Sequence, residues 1–131
     1  MSALSATGHR SENGVLFDDL DVARCYAHRA PYAPALYDFL LTLVPRRERA
    51  LDLGCGPGKI ALALAKHFET VEALDPAGPM IAMGQEQSRE VRNIDWICAG
   101  AEEGIGDGPY DLVTAGASLH WMKHEVVFPK L

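Results

Sequence analysis

The sequence lacks the marks of several protein classes, and each absence narrows what it can be. No stretch reaches the roughly 18 consecutive apolar residues that a membrane-spanning helix needs. The opening "MSALSATGHRSENG" has neither the basic start nor the apolar run of a secretion signal, so a cytoplasmic location without a membrane partner is expected. Cysteine is sparse: Cys25, Cys55 and Cys98 form an odd set without CxxC spacing. That argues against a disulfide framework and against a zinc knuckle, and all three are expected to be reduced. His9, His28, His67 and His124 show no ligand spacing either, so no metal is expected. Positive charge is in deficit, with 12 Lys and Arg against 18 Asp and Glu and a net charge of −6. Such a chain repels a nucleic-acid backbone on average. The small cluster Arg46, Arg47 and Arg49 beside Glu48 reads as a solvated loop.

What is present is a globular composition, 48% apolar, in a chain of 131 residues that makes one domain or part of one. Residues 1–16 are polar without periodicity and are expected to be a flexible N-terminus. Asp18 or Asp19 can cap a helix running to about Arg29, which Pro31 then breaks. Pro34 suits a first helical position, and Leu36, Phe39, Leu40 and Leu43 recur at helical spacing until Pro45.

Beyond this N-terminal helical segment, 17–49, the pattern changes. "RALDLG" reads as a short strand covered on both faces, and "KIALALAKHF" after it as a helix. "TVEALD" (70–75), "IDWICA" (94–99) and "YDLVTAG" (110–116) read as further strands, with a helix over 79–91 between the first two. Strands alternating with helices predict an α/β fold with a parallel sheet and right-handed crossovers.

Between the first strand and its helix stand three glycines in five positions, Gly54, Gly56 and Gly58. Glycine permits positive φ and lets a ligand touch the main chain, at about 0.5 to 1 kcal/mol each relative to Ala in regular structure. In an open α/β sheet, ligands bind beyond the carboxyl ends of the strands, where this turn lies. A turn built only for geometry is the competing reading. Against it stands Asp75, which closes the next strand about twenty residues on, where a carboxylate can accept from both hydroxyls of a ribose. The spacing is not the GxGxxG of dinucleotide folds, because Lys59 stands where the last glycine belongs, and this disfavours an NAD-dependent oxidoreductase. The phosphate loop GxxxxGK[ST] fails at Leu53 and Ile60.

"LDLGCGPGK" with "ALDPAGPM" resembles the class I S-adenosylmethionine-dependent methyltransferases, and the likeness continues through "CAGAEE" and "YDLVTAGASLHWM". The last segment is similar to the small-molecule branch that includes trans-aconitate methyltransferase-like proteins. The resemblance implies a Rossmann-like sheet of about seven strands in the order 3-2-1-4-5-7-6, of which this sequence supplies about four, in the order 3-2-1-4. Residues 50–131 would then be the N-terminal half of a methyltransferase domain, truncated after strand four, with self-association through the exposed strand-four edge expected.

The resemblance implies S-adenosylmethionine as cofactor, with S-adenosylhomocysteine as product. It puts Asp52 near the ammonium of the methionine end, Gly54, Gly56 and Gly58 along the methionine and ribose portions, and Asp75 on the ribose. Ala101 and Glu102 match the adenine contact, although Gly100 stands where many members have an aspartate. Ala115 and Gly116 match a main-chain contact to the methionine end. His120 is the candidate catalytic base for a small-molecule methyl acceptor, with local packing as the competing role. "YAHRAPY" resembles the lid segment of relatives, where Tyr26, Arg29 and Tyr32 could meet cofactor or substrate. The expected activity is methyl transfer, at oxygen; a non-catalytic S-adenosylmethionine-binding or interaction module is the alternative.

Overall fold

The computed structural model describes residues 32–116 and 122–131. In chain order the elements are α1 (Pro34–Thr42), β1 (Arg49–Leu53), α2 (Lys59–Leu64), β2 (Thr70–Asp75), α3 (Gly78–Gln87), β3 (Ile94–Cys98), α4 (Ala101–Gly104), β4 (Leu112–Thr114) and α5 (His124–Val127), followed by a 3₁₀ turn over Phe128–Lys130. The four strands pair in parallel in the order β3-β2-β1-β4. This is the expected order and the expected fold class. The helix placed before residue 30 lies outside the described residues.

Strand alternation sorts the core onto two faces. Ala50, Val71 and Ala73 join Leu41, Ala61, Leu64, Phe68 and Ile81 under α1, α2 and α3. Leu51, Leu53 and Leu74 turn the other way and pack with Ala101 and Val127 of α4 and α5. Because helices cover both faces, β1 and β2 are buried nearly throughout. Asp52 and Asp75 are carried inside with them, at 1% and 8% exposure.

Three elements are shorter than the sequence pattern suggests, each for a local reason. Helix α2 stops at Leu64 because the last turn tightens, with the His67 N–H reaching Leu64 O at 2.9 Å, and Phe68 turns into the core. Helix α3 stops at Gln87, where the Ser88 hydroxyl donates back to Gly84 O at 2.6 Å. Strand β4 begins only at Leu112. The Asp111 N–H still bonds Arg49 O at 2.8 Å, but its Oδ2 takes up the main-chain N–H groups of Glu48 and Arg49, at 2.8 and 3.0 Å, and Tyr110 packs its ring beneath the Arg49 guanidinium. The four-residue helix α4 has no counterpart in the sequence reading; its length is too short for a periodic signal.

At the amino ends of the strands a polar network closes on itself. Arg49 is ion-paired with Glu72, whose other oxygen accepts from the Tyr110 hydroxyl at 3.0 Å. The carboxyl ends, described next, are unlike this.

Candidate functional site

The bend between β1 and α2 is where chain geometry departs most from ordinary L-residue conformations. Gly54, Gly56 and Gly58 have φ of 62°, 55° and 90°. The Cys55 N–H bonds Leu74 O at 2.9 Å, which ties the bend to the end of β2. Asp75 completes the brace: its Oδ2 accepts from the Gly56 N–H at 2.9 Å and its Oδ1 from the Ala77 N–H at 2.8 Å. The expected neighbourhood of the glycine bend and the acid on the second strand is therefore present. Asp75 also has a role that the sequence reading missed, since it holds the bend and the approach to α3 together.

The glycines do different work. Among the described residues a Cβ on Gly56 would meet only Met80 Sδ, at 3.9 Å, so no described residue closes that side of the bend and its φ is what demands glycine. A Cβ on Gly58 would lie 2.3 Å from Trp96 Cη2, and one on Gly84 of α3 would lie 2.4 Å from the same atom. The indole of Trp96 thus fills the space under the third glycine and against α3, and packing accounts for that glycine without any ligand. The signal available in the sequence was "IDWICA": a single large aromatic within a strand.

Asp52 is a strongly perturbed acid. Its Oδ1 accepts from the Thr114 hydroxyl at 2.8 Å across the β1–β4 register, while its Oδ2 is buried with no hydrogen-bond partner. Burial pushes its pKa from 3.8 to about 7; the Asp75 charge adds to the rise and the Thr114 bond opposes it. Tyr37, from the inward side of α1, likewise buries its hydroxyl without a partner. Burial raises its pKa, with the nearby charges of Asp52 and Tyr32 adding to the effect. The Cys55 thiol in the bend is also pushed up, first by burial and then by Asp52 and Asp75, so it is an unreactive thiol.

The remaining candidates divide. A Cβ on Gly116 would come within 3.0 Å of Tyr32 Oη and 2.6 Å of Ile60 Cδ1, so Tyr32 reaches the carboxyl end of β4. Ala115 packs on the opposite face with Leu51 and Leu53. Ala101 is buried there too, and the Glu102 carboxylate accepts from the Lys123 N–H at 2.8 Å. Its main-chain carbonyl accepts from the Lys130 ammonium. Tyr26, Arg29 and His120 lie outside the described residues. Among the described residues no group of three or more His, Cys, Asp or Glu could hold a metal ion, and no helix is long and apolar enough to cross a membrane.

A glycine bend braced by an acid at the carboxyl ends of a 3-2-1-4 parallel sheet defines a class, and comparison with known proteins agrees. Residues 50–129, more than half of the chain, match a family described as "Methyltransferase domain". The chain belongs to the class I S-adenosylmethionine-dependent methyltransferases.

Among individual relatives, trans-aconitate 2-methyltransferase of Delftia acidovorans is 33% identical over 97 residues, covering 70% of this chain and 36% of that protein. The Variovorax paradoxus enzyme of the same name is 34% identical and covers 67% and 34%. The chain thus spans about a third of the length of these curated relatives. Among solved structures, phosphoethanolamine N-methyltransferase 1 of Haemonchus contortus, in complex with phosphoethanolamine and S-adenosylhomocysteine, shares the fold. It has a TM-score of 0.59 and 22% identity, and the match covers 69% of this chain and 20% of that one.

Proposed function

We propose that the chain binds S-adenosylmethionine across the carboxyl ends of β1, β2 and β4, and that it is the cofactor-binding part of a methyltransferase acting on a small molecule at oxygen. The observation that carries this is the buried, unpartnered Asp52 Oδ2 beside the braced and open bend at Gly56. An acid held inside without a partner suits a cationic amino group. The open side of the bend suits a ligand that lies directly on the main chain. In this reading Asp75 keeps its main-chain bonds to Gly56 and Ala77 and accepts from the ribose hydroxyls. Gly54, Gly56 and Gly116 give backbone contact along the methionine end. Ala101 and Glu102 adjoin the base through their main chain, since their side chains are already engaged.

The cofactor supplies an activated methyl group, so what the chain contributes is alignment and exclusion of water. Positioning of two reactants is worth on the order of 7 to 11 kcal/mol. Tyr32, already against Gly116, would cover the methionine end as part of the lid segment 17–49, with Tyr26 and Arg29. His120 would remove a proton from the acceptor where one must leave. The relatives named for trans-aconitate support a small acidic acceptor, for which Arg29 is the matching cation.

Calorimetry with S-adenosylhomocysteine tests the reading. Binding is expected for the wild-type chain, and Asp75→Ala should weaken it at least tenfold, since the substitution removes both the brace and the ribose acceptor. A mutant that binds equally well would remove the ribose assignment. A second reading, a non-catalytic cofactor-binding or interaction module, draws support from β4, which pairs only with β1 among the described residues and leaves its outer edge open to a further strand, including one from a second copy. That reading predicts cofactor binding with no methyl transfer to any acceptor.

A further inference from the structure

Two side-chain polar atoms among the described residues are buried with no hydrogen-bond partner, Asp52 Oδ2 and Tyr37 Oη. Buried polar atoms of native proteins are nearly always paired, so each calls for an explanation, and two on the same side of one sheet call for a common one. Tyr37 belongs to the face of α1 that packs on the core containing Ala50 and Ala73, and Asp52 follows Ala50 on that same face of β1. The two atoms are close enough for the Asp52 charge to oppose ionisation of the phenol, yet they do not bond each other. Asp52 pairs in register with Thr114, two residues before the Gly116 that Tyr32 reaches.

We infer that Tyr37 Oη and Asp52 Oδ2 are joint acceptors for one cationic amino group, that of the cofactor's amino-acid end, which makes Tyr37 a cofactor-binding residue. An ammonium carries three N–H donors and no acceptor, so it can satisfy a carboxylate oxygen and a phenol oxygen at once. A carboxylate ligand does not suit this position, because Asp52 would repel it. The phenol adds a requirement of shape: the cation must lie where both oxygens reach it, which discriminates an amino-acid end from a bare thioether.

The inference rests on the cofactor reading above, and two ligands separate their failures. Calorimetry is run on the full chain with S-adenosylhomocysteine and with 5′-methylthioadenosine, which keeps the nucleoside and lacks the amino-acid end. Tyr37→Phe should bind S-adenosylhomocysteine about tenfold more weakly while its affinity for 5′-methylthioadenosine stays within twofold. Its thermal unfolding without ligand should be unchanged or raised, because the lost hydroxyl had no partner. Wild-type affinity for S-adenosylhomocysteine in the mutant, or equal loss of both ligands, overturns the role of Tyr37 and leaves the cofactor site standing. A wild-type chain that binds neither nucleoside overturns the cofactor site and this inference with it.

Discussion

Replacing Asp52 with Asn should make the protein more resistant to alkaline pH, and the size of the effect follows from the burial of that carboxyl. Its pKa stands at about 7 in the folded chain against 3.8 when exposed. Each tenfold difference in proton affinity is worth about 1.4 kcal/mol, so the full effect is about 4 kcal/mol. The sign is fixed by linkage. A group whose folded pKa is raised lends its stability below the exposed value and loses it as pH climbs through the folded one. Wild-type stability should therefore carry a penalty that grows from about pH 4 and levels off above pH 7 or 8. Asn keeps the shape and can still accept from the Thr114 hydroxyl, but it has no charge to bury. Urea unfolding of both proteins at pH 5 and pH 8 measures the difference directly. The stability of Asp52→Asn minus that of wild type should rise by about 2 to 3 kcal/mol between the two, since all other titrations cancel. A difference that stays flat, or grows toward acid, would mean that Asp52 is paired or solvated in the free protein and that its role as a vacant acceptor is wrong.

Two further outcomes follow from packing. Gly58→Ala should cost at least 2 kcal/mol, from φ of 90° and contact with Trp96, and pairing it with Trp96→Leu should cost at least 1 kcal/mol less than the sum of the single changes in a double-mutant cycle. Additive costs would show that the indole does not fill that space. Glu72→Gln should lower stability by about 1 to 2 kcal/mol by unpairing Arg49, while S-adenosylhomocysteine affinity, read by calorimetry, changes less than twofold. A large loss of affinity would tie the two ends of the sheet together.

The parts of this structure that depend on local pattern were legible from the chain. The strands of residues 49–53 and 70–75 announce themselves as short apolar runs, and their parallel order follows from the helices between them. The bend at Gly54 and Gly56 and its neighbour Asp75 were legible for the same reason: a backbone demand and a charged strand end both show in sequence. Thr114, Tyr37 and Trp96 were missed because their roles arise only across the sheet. Thr114 matters through its register with Asp52, Tyr37 through a hydroxyl turned inward from α1, and Trp96 through two glycines 26 residues apart, Gly58 and Gly84. Element ends were displaced wherever a side chain took over a main-chain bond, as Ser88 and Asp111 do.

The contrast between the two rims of the sheet has a practical bearing. Where Arg49, Glu72, Tyr110 and Asp111 meet, the charges are already matched, so if Glu72→Gln leaves affinity unchanged that rim can be rebuilt for thermal endurance without consulting the chemistry. The opposite rim keeps two oxygens in want of company. Any engineering that satisfies them from within, by a new internal donor, would toughen the scaffold and, under the proposed function, blind it to the cofactor in the same stroke.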